Sequence, residues 1–273
     1  MRPLLSALAL LLGACIPYPG DAPPVEYSGG MRSITEGPFP LLDAGASELD
    51  TLHFKVKAYG TPKAIAIGDA AEADYNRIMV DTGLYSFKPR GLYQLIVYAN
   101  AEEYHRKTAQ PAWSGGLSIG NAIYTYEGPG LRGTLSHEMT HLIFYEFMAH
   151  LNADHRWVNE GLAVFEQNKA LAGPAGQADI FASVRGNMRQ LPIPMDQMIR
   201  LVPATEREYA VSVWYAQAES MIRFMIERGG RIGFSQFLTA LRSGKSFDAA
   251  VNESFPGIWR GLAEFESAWK RAQ

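Results

Sequence analysis

His137 and His141 stand four residues apart in 136-SHEMTHLIFYEF-147, with Glu138 directly after the first. On an α-helix, positions i and i+4 share a face about one turn apart, so both imidazoles can point at a single ion. Glu138 falls about 100° around the helix from His137. From there a carboxylate reaches a water on the ion without competing as a ligand. The chemistry this spacing permits is metal-assisted hydrolysis, with zinc the natural ion because it takes nitrogen and carboxylate ligands and can keep a position open for water. The competing reading is two structural histidines on an ordinary core helix.

A zinc site of this kind needs a third protein ligand. In the pattern H-E-x-x-H-x-x-G-x-x-H it is a histidine, but Phe144 and Phe147 occupy the glycine and final histidine positions here, which excludes that class. His150 lies nine residues beyond His141 on the same expected helix and would point away. His155 and Asp154 fall in a connecting turn and stay geometrically possible. The best candidate is Glu160, in 157-WVNEGLAVFEQ-167, separated from His141 by eighteen residues. That span lets the first helix end, the chain turn, and a second helix return antiparallel, completing a His₂Glu set. Asn159 either supports a ligand from behind or caps the second helix. Glu166, nearly two turns beyond Glu160, is expected on a solvated face.

The elements that must position these residues form a mixed pattern. Strands are expected at 51–59, which alternates, at 92–99, which is short and apolar, and near 118–126. Helices are expected over 68–84 and 101–110. From Leu131 onward helical periodicity dominates: 131–150, about 158–171, a helix within 205–230 ended by a glycine pair, then 233–242, 246–254 and 257–271. The expected class is α+β, a small mixed sheet beside a mainly helical half. The folded unit is expected over 45–273, with an α/β half at 45–130 and a helical half at 131–273.

The first residues, MRPLLSALALLLGAC, carry one arginine before an apolar run from Leu4 to Leu12. The run is far shorter than the roughly 20 residues of a membrane span and fits a secretory leader. LGAC is similar to the lipobox of bacterial lipoproteins, which implies a leader at 1–14 and lipidation of Cys15. Cys15 is the sole cysteine, so it forms no disulfide within the chain. The Pro/Gly-rich stretch at 15–44 reads as a tether. The implied localisation is the bacterial cell envelope, on the outer membrane facing the periplasm, anchored by lipid. The net charge of −3 and the lack of a Lys/Arg-rich run speak against nucleic acid as a partner.

HEMTH, an eighteen-residue gap and then WVNEGLA resemble the gluzincin metallopeptidases, in particular the M1 aminopeptidases and the smaller peptidase-MA-like domains. The resemblance is strong over 134–167 and weaker over the rest of 45–271. It implies a zincin fold, Zn²⁺ on His137, His141 and Glu160, and Glu138 as general base, with a peptide or protein as substrate. It also implies a tyrosine that donates to the oxyanion: Tyr215, opening YAQAES, with Tyr209 the second choice. In that fold an edge strand, here the one near 118–126, pairs with an extended substrate, and Gly115, Gly116 and Gly120 would permit close approach. One departure stands out. The G-x-M-E-N segment of M1 aminopeptidases is absent, with SGGLSIGNAIYTYEG in its place, so an aminopeptidase loses support. The alternative from another class is a non-catalytic envelope lipoprotein that uses a zinc-containing, peptidase-like fold as a binding module.

Overall fold

The computed structural model describes residues 39–150, 152–172, 178–200 and 208–273, the side chains of 208–210 excepted. The leader, Cys15 and the tether up to residue 38 lie outside the described residues. The architecture is α+β, as expected from the sequence: a five-stranded mixed sheet beside a helical half.

The sheet comprises β1 (Ala46–Asp50), β2 (Phe54–Tyr59), β3 (Tyr93–Tyr98), β4 (Gly116–Ile119) and β5 (Ala122–Tyr126), in the order β1-β2-β3-β5-β4. β2, β3 and β5 run parallel, and the two outer strands are antiparallel to their neighbours. Parallel neighbours need crossovers. These are α1 (Thr61–Thr82) between β2 and β3, and α2 (Ala101–Thr108) between β3 and β5. β3 is central and buried on both faces. Leu95 and Val97 join the main core, while Ile96 and Tyr98 join a smaller one with Tyr104, Ala122 and Tyr124.

The expected strand at 51–59 is two elements. β1 is polar and at the sheet edge, so it shows no apolar signal, and residues 51–53 turn between it and β2. The expected strand at 118–126 is a hairpin, with Gly120 at φ 62 in the turn. β5, which precedes the next helix, is therefore interior, and β4 is the edge. α1 begins seven residues earlier than periodicity suggested, because Pro62 presets the first turn. The folded unit also starts before residue 45: Tyr98 Oη donates to the Pro40 carbonyl at 2.9 Å, and Phe39 packs edge-on against Tyr124.

The helical half contains α3 (Leu131–Met148), α4 (Arg156–Ala172), α5 (Arg185–Gln190), α6 (Met195–Arg200), α7 (Glu208–Arg242), α8 (Phe247–Ser254) and α9 (Leu262–Ala272). The short α5 and α6 were not anticipated. The helices expected within 205–230 and over 233–242 are the two segments of α7, which break where expected, at the glycine pair, with Gly230 non-helical at φ 77. α9 starts later than expected, at Leu262. α3 is buried on all sides from Leu135 to Phe144, as befits a helix enclosed by α1, α4, α7, β4 and β5. It ends at Met148, with Ala149 left-handed, so His150 lies beyond the helix. One hydrophobic core runs through both halves, from Phe54 and Val56 on the sheet to Trp157 and Phe234 on the helices.

Candidate metal centre

α3 carries His137 and His141 on one face, and α4 returns beside it carrying Glu160. The pairing register shows the antiparallel return, since His137 meets Gln167 while His141 meets Asn159. The two Nε2 atoms lie 3.1 Å apart. Glu160 Oε2 lies 3.6 Å from His141 Nε2 and 3.8 Å from His137 Nε2. Ligand atoms about 2.0–2.2 Å from a common ion stand roughly 3–4 Å from one another, so these separations fit one small cation. Among the described residues, these three side chains are the group geometrically able to hold a metal.

The groups behind the imidazoles define their protonation. His137 Nδ1 is 3.0 Å from Gln167 Oε1, and His141 Nδ1 is 3.0 Å from Asn159 Oδ1. An amide oxygen only accepts, so each Nδ1 carries the proton and each Nε2 turns its lone pair inward. Three electron-rich atoms then face one another in a buried space, and Glu160 Oε2 has no hydrogen-bond partner. Burial pushes the His137 imidazole well below its usual pKa, with His141 adding to the effect. Burial likewise lowers His141 to about 4. The Glu160 carboxyl is pushed well up, first by burial and then by the nearby charge of Glu138. Neutral imidazoles and a carboxylate that gains from a counter-charge are the donor set of a zinc-type ion. Glu138, 2% exposed, sits on α3 between the two histidines.

Asn159 is an imidazole holder rather than a helix cap, because α4 starts at Arg156. Gln167 was missed by the sequence reading, although its spacing of seven from Glu160 puts it on the same helical face and could have signalled it. The expectation of a solvated Glu166 is wrong: it is fully buried. Arg77 of α1 explains the burial. Its Nε donates to Glu166 Oε2 at 2.9 Å and its Nη2 to Ser136 Oγ at 2.6 Å, while Nη1 bonds Asp74. Ser136 precedes His137, and Glu166 precedes Gln167. One guanidinium thus ties α3 to α4 immediately behind the His137–Gln167 pair.

Gly161 sets the height of Glu160. A Cβ there would lie 2.6 Å from the Ala218 carbonyl oxygen, so only glycine lets α4 approach α7 this closely. Tyr215 lies on α7, less than one turn before that crossing. It is 2% exposed, stacked on Phe181 at 6.1 Å and edge-on to Trp214. The Tyr209 side chain lies outside the described residues. The other third-ligand candidates stand apart: His155 packs edge-on against Phe247, and Asp154 and His150 are exposed and outside the His137–His141–Glu160 group. No protein-family model matches this chain, and no curated protein matches it.

Proposed function

We propose that this chain is a zinc-dependent peptidase of the gluzincin type, related to the peptidase-MA-like domains. The observation that carries the proposal is the convergence of His137 Nε2, His141 Nε2 and Glu160 Oε2 on one point, with buried Glu138 near enough for its charge to act on Glu160. A zinc ion held there would act as a Lewis acid toward a carbonyl and bring the pKa of a bound water toward about 7. The rest is the work of the chain. Gln167 and Asn159 fix both imidazoles in the tautomer that leaves Nε2 free. Glu138 takes a proton from the attacking water and returns it to the departing amine nitrogen. Tyr215 is proposed, from the resemblance, to donate its hydroxyl hydrogen to the developing oxyanion. β4, the edge of the sheet, would pair with an extended peptide by strand addition.

The site test is turnover of an unstructured protein with zinc measured in the same samples. Glu138→Gln should abolish turnover and keep the ion. Full activity in that variant would defeat the assignment of the base. A wild-type protein that holds zinc but turns over no substrate would favour the binding-module alternative.

We also propose that the protein is a lipoprotein of the bacterial envelope, anchored through Cys15, which lies outside the described residues. The LGAC segment supports this. Among the described residues no helix is long and apolar enough to cross a membrane. Mass spectrometry of the mature protein should find acyl chains on Cys15; an unmodified thiol there contradicts the anchor.

A further inference from the structure

The chain carries a formal net charge of −3, yet five of its arginines line one cavity in the helical half. The cavity has a volume of about 880 Å³ and lies where residues of α5, α7 and α9 meet. Arg185 and Arg189 come from α5, Arg223 and Arg228 from α7, and Arg271 from the end of α9. Phe224, Ile258 and Trp259 supply an apolar wall. The Phe224 and Trp259 rings pack at 5.6 Å, and Ile258 is 44% exposed. Cavities of about 300–1,000 Å³ are of the size that takes a small organic ligand.

Two of the five arginines are fixed by a carboxylate inside the protein. Glu219, 0% exposed, lies on α7 one turn before Arg223. Arg223 Nε donates to Glu219 Oε1 at 2.9 Å, and Arg185 Nη2 donates to Glu219 Oε2. Asp179 also holds Arg185, accepting from Nε at 2.9 Å and from Nη2 at 3.1 Å, while the Ala216 carbonyl accepts from Nη1 at 2.6 Å. Glu219 and Asp179 thus balance Arg185 and Arg223 and set them in place before any ligand arrives. Arg189, Arg228 and Arg271 are different. All three are exposed, and their guanidinium groups make no hydrogen bond or ion pair among the described residues. Arg271 acts at longer range on Glu264, which is not part of the cavity. Against these three stand the Glu227 carboxylate and the α-carboxylate of Gln273, so the cavity keeps an excess of positive charge.

Guanidinium groups gathered in a concavity repel one another and focus a positive potential there, which favours a bound anion. Their planar N–H forks match the oxygens of a phosphate. A phosphate group brings a charge of about −1.5 to −2 at pH 7 and three acceptor oxygens, which suits arginines that arrive from three helices. We propose that this cavity binds a small phosphate ester, its phosphate among Arg189, Arg223, Arg228 and Arg271 and its organic part on Phe224, Ile258 and Trp259. The phosphate chemistry is the same in a soluble ester and in a lipid head group. The inference is independent of the peptidase reading, since none of these residues belongs to the metal centre.

The test titrates the full-length protein, in non-ionic detergent, with phenyl phosphate, inorganic phosphate and benzoate by calorimetry. Phenyl phosphate should bind one per chain, more tightly than inorganic phosphate, which lacks the apolar part, and than benzoate, which carries a single charge. Arg189→Ala and Arg271→Ala should each weaken it roughly tenfold, the effect of losing one charge-assisted contact. Both side chains are exposed, so the melting temperature should stay where it is. Arg106→Ala, an exposed arginine of α2 outside the cavity, should change nothing. Ile258→Ser should weaken phenyl phosphate and leave inorganic phosphate as it was. A second arm adds phosphatidylglycerol to the micelles, with diacylglycerol as the phosphate-free control, and follows the melting temperature. Stabilisation by phosphatidylglycerol alone, lost in the two arginine variants, assigns a lipid head group; binding of phenyl phosphate without that stabilisation assigns a soluble ester. Binding of neither phosphate compound, benzoate binding as tightly as phenyl phosphate, or affinities unchanged in Arg189→Ala and Arg271→Ala overturns the inference.

Discussion

Removing the amides behind the imidazoles separates a metal centre from a pair of core histidines. In Gln167→Ala the His137 Nδ1–H loses an acceptor at 3.0 Å, and in Asn159→Ala the His141 Nδ1–H loses one at the same distance. Gln167 is 8% exposed and Asn159 3%, so water does not readily replace either amide. A buried donor left without an acceptor costs about 1–3 kcal/mol of stability. A structural histidine pair would show that loss and nothing more. At a metal centre the freed ring also tilts and changes tautomer, which typically costs 10–100-fold in metal affinity, or about 1.4–2.7 kcal/mol. Gln167→Glu provides the opposite sign. A carboxylate behind His137 makes the imidazole a stronger ligand, so zinc affinity should rise, while the metal-free protein should melt lower because it buries another acid. The assay is zinc competition against a chromophoric chelator, with melting curves of metal-free and zinc-loaded protein. If all three variants hold zinc like the wild type and differ only in melting temperature, the amides are packing groups and the reasoning is refuted.

Arg77→Ala strands Glu166 and Asp74, which are 0% and 1% exposed, and should cost about 3–5 kcal/mol at pH 8 by denaturant titration. Burial raises the Glu166 pKa to about 7, above its unfolded value of about 4.3, so this group favours the native state fully below the lower value and the contribution falls as pH rises toward 7. The Arg77→Ala defect should therefore shrink at pH 5, and an equal defect at both pH values would contradict the buried-carboxylate account. In the metal-free protein both imidazoles should stay neutral at about pH 5.5 by NMR titration, because burial holds them well below the ordinary histidine range; a midpoint near about pH 6.5 would mark them as ordinary hydrated rings. Tyr215→Phe should lower kcat and kcat/KM together by about 10²–10³ with KM and zinc content unchanged, and near-wild-type kinetics would remove Tyr215 from the chemistry.

The core of the site was legible because it is local. His137, Glu138 and His141 lie within five residues, and Glu160 follows after the one turn that an antiparallel helix pair requires. Helix α3 itself was legible, though its burial hid its faces. Arg77 was not, since its partners Ser136 and Glu166 are 59 and 89 residues away and only the folding of α1 onto α3 and α4 joins them. Glu166 was misjudged for the same reason: a carboxylate on helical spacing reads as solvated unless its distant cation is known. The 116–126 hairpin was hidden by brevity, its turn resting on Gly120 between two short strands, and this misplaced the sheet edge by one strand. β1 escaped because an outer strand of ASELD carries no apolar alternation.

The most direct measurement of the central claim is zinc stoichiometry by elemental analysis of the purified protein and its single variants. One zinc per wild-type chain is predicted, with most of it lost in each of His137→Ala, His141→Ala and Glu160→Ala, since each removes one of three protein ligands. His155→Ala and Asp154→Ala should keep it. A Glu160→Ala protein that retains one zinc while His155→Ala or Asp154→Ala loses it would contradict the His137–His141–Glu160 centre.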